Sequence, residues 1–145
     1  MAPRKKASDK AQPKPRITAE QRRDWRNLPL EHWNTATVHA MVIELNAEKF
    51  AVEKYVPLRG WGFEQGAVKR ALSEYGAQPL RETIERAFVE YRPTREYPQL
   101  TAGFLIAYML PRIMPQVLAN RQRQERAEQA VVNGGMTADE IADFL

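Results

Sequence analysis

Few side chains in this sequence are suited to chemistry. His32 and His39 are its two histidines. Seven residues apart, they would share a face of one helix, but neither belongs to a His-Glu-x-x-His pattern that presents two imidazoles to zinc. Leu30-Glu31-His32-Trp33 precedes the expected start of the helix, which removes His32 from it. Both are read as surface or packing histidines rather than as ligands or acid–base groups. The carboxylates fall along helix faces as i,i+4 partners of Lys and Arg, with Glu82 to Arg86 the favourable pair. Gly60-Trp61-Gly62 lacks the following Gly-Lys-Ser/Thr that would set an ammonium and a hydroxyl on a phosphate and its magnesium. There is no cysteine, hence no thiol nucleophile, disulfide framework or thiolate zinc site. These residues predict neither an enzyme nor a metal or cofactor site.

What remains is electrostatic and aromatic. Residues 1–16 carry Arg4, Lys5, Lys6, Lys10, Lys14 and Arg16 against Asp9, a net of +5, while the other 129 residues carry 16 basic and 17 acidic groups. Positive charge is thus concentrated in an arm, and residues 119–145 are mildly acidic at a net of −2. Such an arm can bind any polyphosphate by counterion release, lie on acidic lipid, or simply keep the chain soluble. It lacks the apolar anchors of a membrane-surface segment, so nucleic acid, with DNA the expected form, is the favoured partner. Arg22 and Arg23 beside Trp25 extend the basic set. Arg59-Gly60-Trp61-Gly62-Phe63 interleaves a cation with aromatics on a loop. There Trp61 either stacks unpaired bases or tucks under the loop as a satellite of the core, the commoner fate of an aromatic ring. At the other end, Ile141, Phe144 and Leu145 behind Gly134-Gly135 either dock on a protein partner or fold back on the domain.

The elements that must position these groups are helical. Thr18-Ala19-Glu20-Gln21 has capping-box spacing and starts a short helix expected to stop near Leu28-Pro29. Asn34 or Thr35 caps a second, whose Val38, Met41, Val42 and Leu45 repeat at i, i+3, i+4 and i+7. Pro57 to Gly62 reads as a loop. Ala67, Val68, Ala71, Leu72 and Tyr75 then mark a third helix, with Gly76 as a left-handed cap. Pro79 opens a fourth carrying Leu80, Ile84, Ala87, Phe88 and Tyr91. Thr101 caps an almost wholly apolar stretch, Ala102 to Leu110, expected to be buried on every side or to form a subunit interface. Pro111 and Pro115 are expected to kink or restart that helix. A last capping box, Thr137 to Glu140, starts a short terminal helix.

No alternating strand pattern, hairpin turn or internal repeat is present. The expected fold is all-α: a compact bundle of five to seven helices over residues 18–132, with a disordered basic arm over 1–17. A Gly-Gly hinge and acidic-apolar helix occupy 133–145. The uninterrupted apolar run, Leu100–Leu110, is 11 residues, short of the roughly 20 needed to cross a bilayer. The N-terminus is basic without an apolar core, unlike a secretory signal. A cytoplasmic chain with no membrane partner is therefore expected.

Three segments carry a resemblance: Gly66-Ala67-Val68-Lys69-Arg70-Ala71-Leu72-Ser73-Glu74-Tyr75-Gly76, Leu80 to Phe88, and Tyr97-Pro98-Gln99-Leu100-Thr101. Together they resemble the C-terminal helical region of the DnaD-like replisome-organiser and helicase-loader proteins of bacteria and phages, over about residues 60–105. That family's region ends on a Tyr, an Ile and a Trp. Here Tyr97 leads instead to Phe104 and Tyr108, and no Trp follows Trp61, so no site residue is carried over. The resemblance implies an accessory role in phage or plasmid DNA replication. The expected function is thus a non-enzymatic nucleic-acid-binding accessory protein that recruits a protein partner. The alternative is a structural or adaptor subunit of a larger, for example viral, assembly, self-associating through residues 100–118.

Overall fold

A computed structural model describes residues 16–134. At its start, the Thr18 hydroxyl accepts the Gln21 N–H at 3.0 Å while the Gln21 side chain accepts the Thr18 N–H at 2.8 Å, closing the expected capping box. This helix, α1 (Ala19–Arg23), is shorter than expected. Asp24 ends it: the Asp24 carbonyl takes the Asn27 and Leu28 N–H groups, turning the chain so that Trp25 is buried. A single 3₁₀ turn, Leu30–His32, leads to Trp33, whose indole N–H donates to the Leu28 carbonyl at 3.1 Å.

Helix α2 (Thr35–Phe50) starts from a reciprocal Asn34–Thr37 cap and ends at Ala51, left-handed at φ 57°. The expected stripe, Val38, Met41, Val42 and Leu45, is buried. Helix α3 (Trp61–Tyr75) begins earlier than the spacing suggested. Gly60, at φ 93°, turns the chain so that Trp61 is the first residue of the helix rather than part of a loop. Gly76 has positive φ but an extended ψ of 166°, so it is not the expected left-handed cap; it joins α3 directly to α4 (Ala77–Glu90). Leu80, Ile84, Ala87 and Phe88 of α4 are buried as their spacing predicts, while Tyr91 lies just past the end of the helix, half-buried. Glu82 does not pair with Arg86. Arg81 takes Glu85 at 3.3 Å, and Glu82 reaches Arg121, 3.6 Å away on the last described helix.

That helix, α5, departs most from expectation. It starts at Thr101, whose hydroxyl accepts the Phe104 N–H, and runs as Ala102–Phe104, a π-helical turn at Leu105–Met109, then Leu110–Gly134. Neither Pro111 nor Pro115 stops it. In the widened turn the Leu110 N–H reaches back five residues to the Leu105 carbonyl, just before Pro111. Such a turn relieves the clash that a proline ring makes with the carbonyl four residues earlier. The helix is not apolar on all sides in its packing either. Leu105, Met109, Leu110, Ile113, Met114 and Val117 are buried, whereas Phe104 and Tyr108 are exposed. With the prolines spanned, α5 is long and apolar enough to cross a membrane by length and composition alone, but its apolar side packs mainly on α4 within this chain. The chain is helical, with five α-helices and no strand among the described residues.

Candidate nucleic-acid interface

The connection between α2 and α3, residues 51–60, carries Arg59 and has two different sides. On one side lies Glu64, fully buried in α3. Its Oε1 accepts from the Tyr55 hydroxyl at 2.6 Å and faces His39 Nε2 at 2.9 Å; its Oε2 accepts the Leu58 and Gly103 N–H groups, each at 2.9 Å. A carboxylate only accepts, so the His39 proton sits on Nε2. Tyr55 in turn accepts the Ala102 N–H at 2.7 Å. One carboxylate thus ties α2, the connection, α3 and the N-terminus of α5, where its charge also suits the helix dipole. Gly103 fits the close approach here: a Cβ would stand 3.0 Å from Leu58 Cδ2 and 3.2 Å from Glu64 Oε2.

Burial pushes the Glu64 carboxyl upward, but the bonds from His39, Tyr55 and the two backbone amides outweigh it and hold the group below its ordinary value. Burial and the adjacent carboxylate drive the Tyr55 phenol far above its usual range, so it remains a donor. With each carboxylate oxygen engaged in two hydrogen bonds and no solvent exposure, Glu64 has no free lone pair for a substrate. It positions structure.

The other side of the connection faces a cleft. The Gln99 side chain holds both backbone groups of Val56, accepting its N–H at 3.1 Å and donating to its carbonyl at 2.8 Å. Nearby, the Asn46 amide clamps Leu100, donating to its carbonyl at 2.9 Å and accepting its N–H at 2.8 Å. These bonds set residues 91–101 alongside the connection and leave a cleft of about 770 Å³ between them. Arg59 and Arg92 line it together with Tyr91, Tyr97, Phe104 and Tyr108. Arg59 is held at φ 58°, with its guanidinium 5.3 Å from the Phe63 ring.

The structure separates the residues that the sequence grouped. Arg59 opens on this cleft. Trp61 lines a different, shallow groove of about 560 Å³ between α2 and α3, shared with Arg23 and Lys69. The Trp61 ring packs 5.3 Å from His39 and 5.7 Å from Tyr55, as a satellite of the core, and is 45% exposed. Arg22 is turned inward and donates to the His32 carbonyl. Arg16 is exposed. His39 is a packing histidine, as read from the sequence, with Glu64 as its partner. Arg4, Lys5, Lys6, Lys10 and Lys14 of the arm, and Ile141, Phe144 and Leu145 of the C-terminus, lie outside the described residues.

The sequence carries a signal for Glu64, which stands in register with Ala67, Val68 and Ala71, a charge on an apolar stripe. Tyr97 and Tyr108 gave none, because the cleft joins segments some forty residues apart. Among the described residues no three His, Asp or Glu side chains gather as a metal site. No family model, curated protein or solved structure matches this chain.

Proposed function

We propose that this chain is a non-enzymatic nucleic-acid-binding accessory protein, cytoplasmic, whose basic arm holds phosphates and whose helical domain, read as one compact bundle over residues 18–132, recruits a protein partner. The observation that carries the reading is the segregation of charge: +5 over residues 1–16 against −1 over the rest. A polycationic segment of this kind binds DNA with little regard to sequence and with strong salt dependence. The resemblance to replisome organisers makes phage or plasmid replication the setting we favour.

The alternative, a subunit self-associating through residues 100–118, draws less support. Leu105, Leu110, Ile113, Met114 and Val117 are already covered by their own chain.

The test is binding to duplex DNA across a salt series, with the wild-type chain and a full-length variant carrying Arg4, Lys5, Lys6, Lys10, Lys14 and Arg16 all changed to Gln. The slope of log affinity against log salt should shrink by up to about 5, at roughly 0.9 for each phosphate no longer neutralised. An unchanged slope and affinity would remove the arm from the function.

A further inference from the structure

We propose that the cleft between the 51–60 connection and the start of α5 is a stacking site for consecutive unpaired bases of a single-stranded nucleic acid, and that this site gives the protein its preference for strand type. The inference rests on the nucleic-acid reading above and adds to it a second, chemically different contact. Sequence-tolerant recognition of single strands needs exposed aromatic faces beside cations that follow the phosphates. The cleft supplies both. Tyr97 and Tyr108 are each 68% exposed, and Phe104, one turn before Tyr108, is 39% exposed with its ring centroid 5.0 Å from that of Tyr108.

These rings are presented on fixed backbone. The Tyr97 carbonyl accepts the Tyr91 hydroxyl at 2.8 Å and the Thr94 N–H at 3.1 Å, and the Tyr97 N–H donates to the Thr94 hydroxyl at 3.0 Å. Burial, with Tyr97 alongside, raises the Tyr91 phenol, which keeps it a donor in that bond. Tyr108 projects from the π-helical turn, which leaves Phe104 and Tyr108 outward while Leu105 and Met109 stay buried. Platforms ordered in advance lose little freedom when a base arrives.

Charge selects the occupant. Arg59 and Arg92 both line the cleft, and among the described residues neither forms an ion pair. Among the described residues Glu96 is the single acidic residue on the rim. Arginines without carboxylate partners beside open tyrosine faces fit an anionic chain of aromatic bases. A proline-rich peptide would use the rings and leave the guanidinium groups without a phosphate. Duplex DNA offers no free base face, so the rings contribute nothing to its binding.

The experiment uses the full chain with two fluorescent probes, a thymine-only single strand and a duplex of the same length. Tyr97→Ala with Tyr108→Ala should weaken single-strand binding by roughly tenfold or more, with duplex affinity unchanged within about twofold. Tyr97→Phe with Tyr108→Phe keeps the ring faces and should bind like the wild type. Arg59→Gln with Arg92→Gln, a second variant on exposed side chains, should also weaken the single strand more than the duplex. Equal losses on both probes, or no loss on either while the wild type binds both, overturns the cleft and leaves the arm standing. A proline-rich peptide that binds through Tyr97 and Tyr108 and is not displaced by the single strand overturns it as well. A wild-type chain that binds neither probe overturns both proposals.

Discussion

The two sides of the 51–60 connection are built from similar materials and do different things. Inward, Tyr55 and the Leu58 amide are spent on Glu64, whose two oxygens accept four bonds with no solvent exposure. Outward, Arg59 and the rings of Tyr97 and Tyr108 have no such partners and face a cleft open to solvent. A saturated polar cluster can hold and orient, but it has nothing left to offer a ligand. The contrast teaches that the buried, hydrogen-bond-saturated carboxylate marks the scaffold in this molecule, whereas exposed rings beside arginines without carboxylate partners mark an open surface.

Removing the carboxylate should break the contrast most severely. Glu64→Ala leaves the Leu58 amide, the buried Gly103 amide and the Tyr55 hydroxyl without their acceptor, at about 1–3 kcal/mol for each buried donor left unsatisfied. Urea unfolding should show that loss. A variant as stable as the wild type would mean that the cluster does not organise the fold.

Gly103→Ala comes next. The new methyl group would press on Leu58 and the Glu64 carboxylate at 3.0–3.2 Å, for a destabilisation of about 1–3 kcal/mol typical of overpacking. A neutral result would show that the connection can give way there.

Acid should act on the same side. The folded Glu64 carboxyl titrates below its unfolded counterpart, so its contribution is complete above about pH 4.3, the ordinary glutamate value, and is lost as pH falls through the folded value. Stability measured against pH should therefore show an acid limb below about pH 4 that Glu64→Gln flattens. An identical limb in both proteins would assign acid unfolding to other carboxylates.

The smallest effect on folding belongs to the outward side. Tyr97→Ala and Tyr108→Ala remove rings that are two-thirds exposed, and each should change stability by no more than about 0.5 kcal/mol. A large drop in melting temperature would make those tyrosines part of the scaffold and erase the distinction.

Much of the fold was legible because it rests on local rules. The caps at Thr18, Asn34 and Thr101 and the stripe from Val38 to Leu45 depend on residues within two turns of one another. Expectation failed where a distant group decided the outcome. Pro111 and Pro115 read as breaks because the π-helical turn that accommodates the first has no local signature. The i,i+4 spacing pairs Glu82 with Arg86 on its own helix, while the structure offers it Arg121 of α5. The cleft was illegible for the same reason: Gln99 finds Val56 across 43 residues, and until those segments meet, Tyr97 and Tyr108 are only tyrosines.

The arm and the cleft should respond to salt differently, since phosphate contacts release counterions and stacking does not. The most direct test is therefore the affinity for a single-stranded oligonucleotide over a range of salt, for the wild type and the Tyr97→Ala, Tyr108→Ala variant. The account predicts two nearly parallel, steeply falling lines, the variant lying roughly tenfold or more below. Coincident lines would show that the cleft does not touch the strand. A wild-type affinity indifferent to salt, or absent altogether, would contradict nucleic-acid binding through the basic arm.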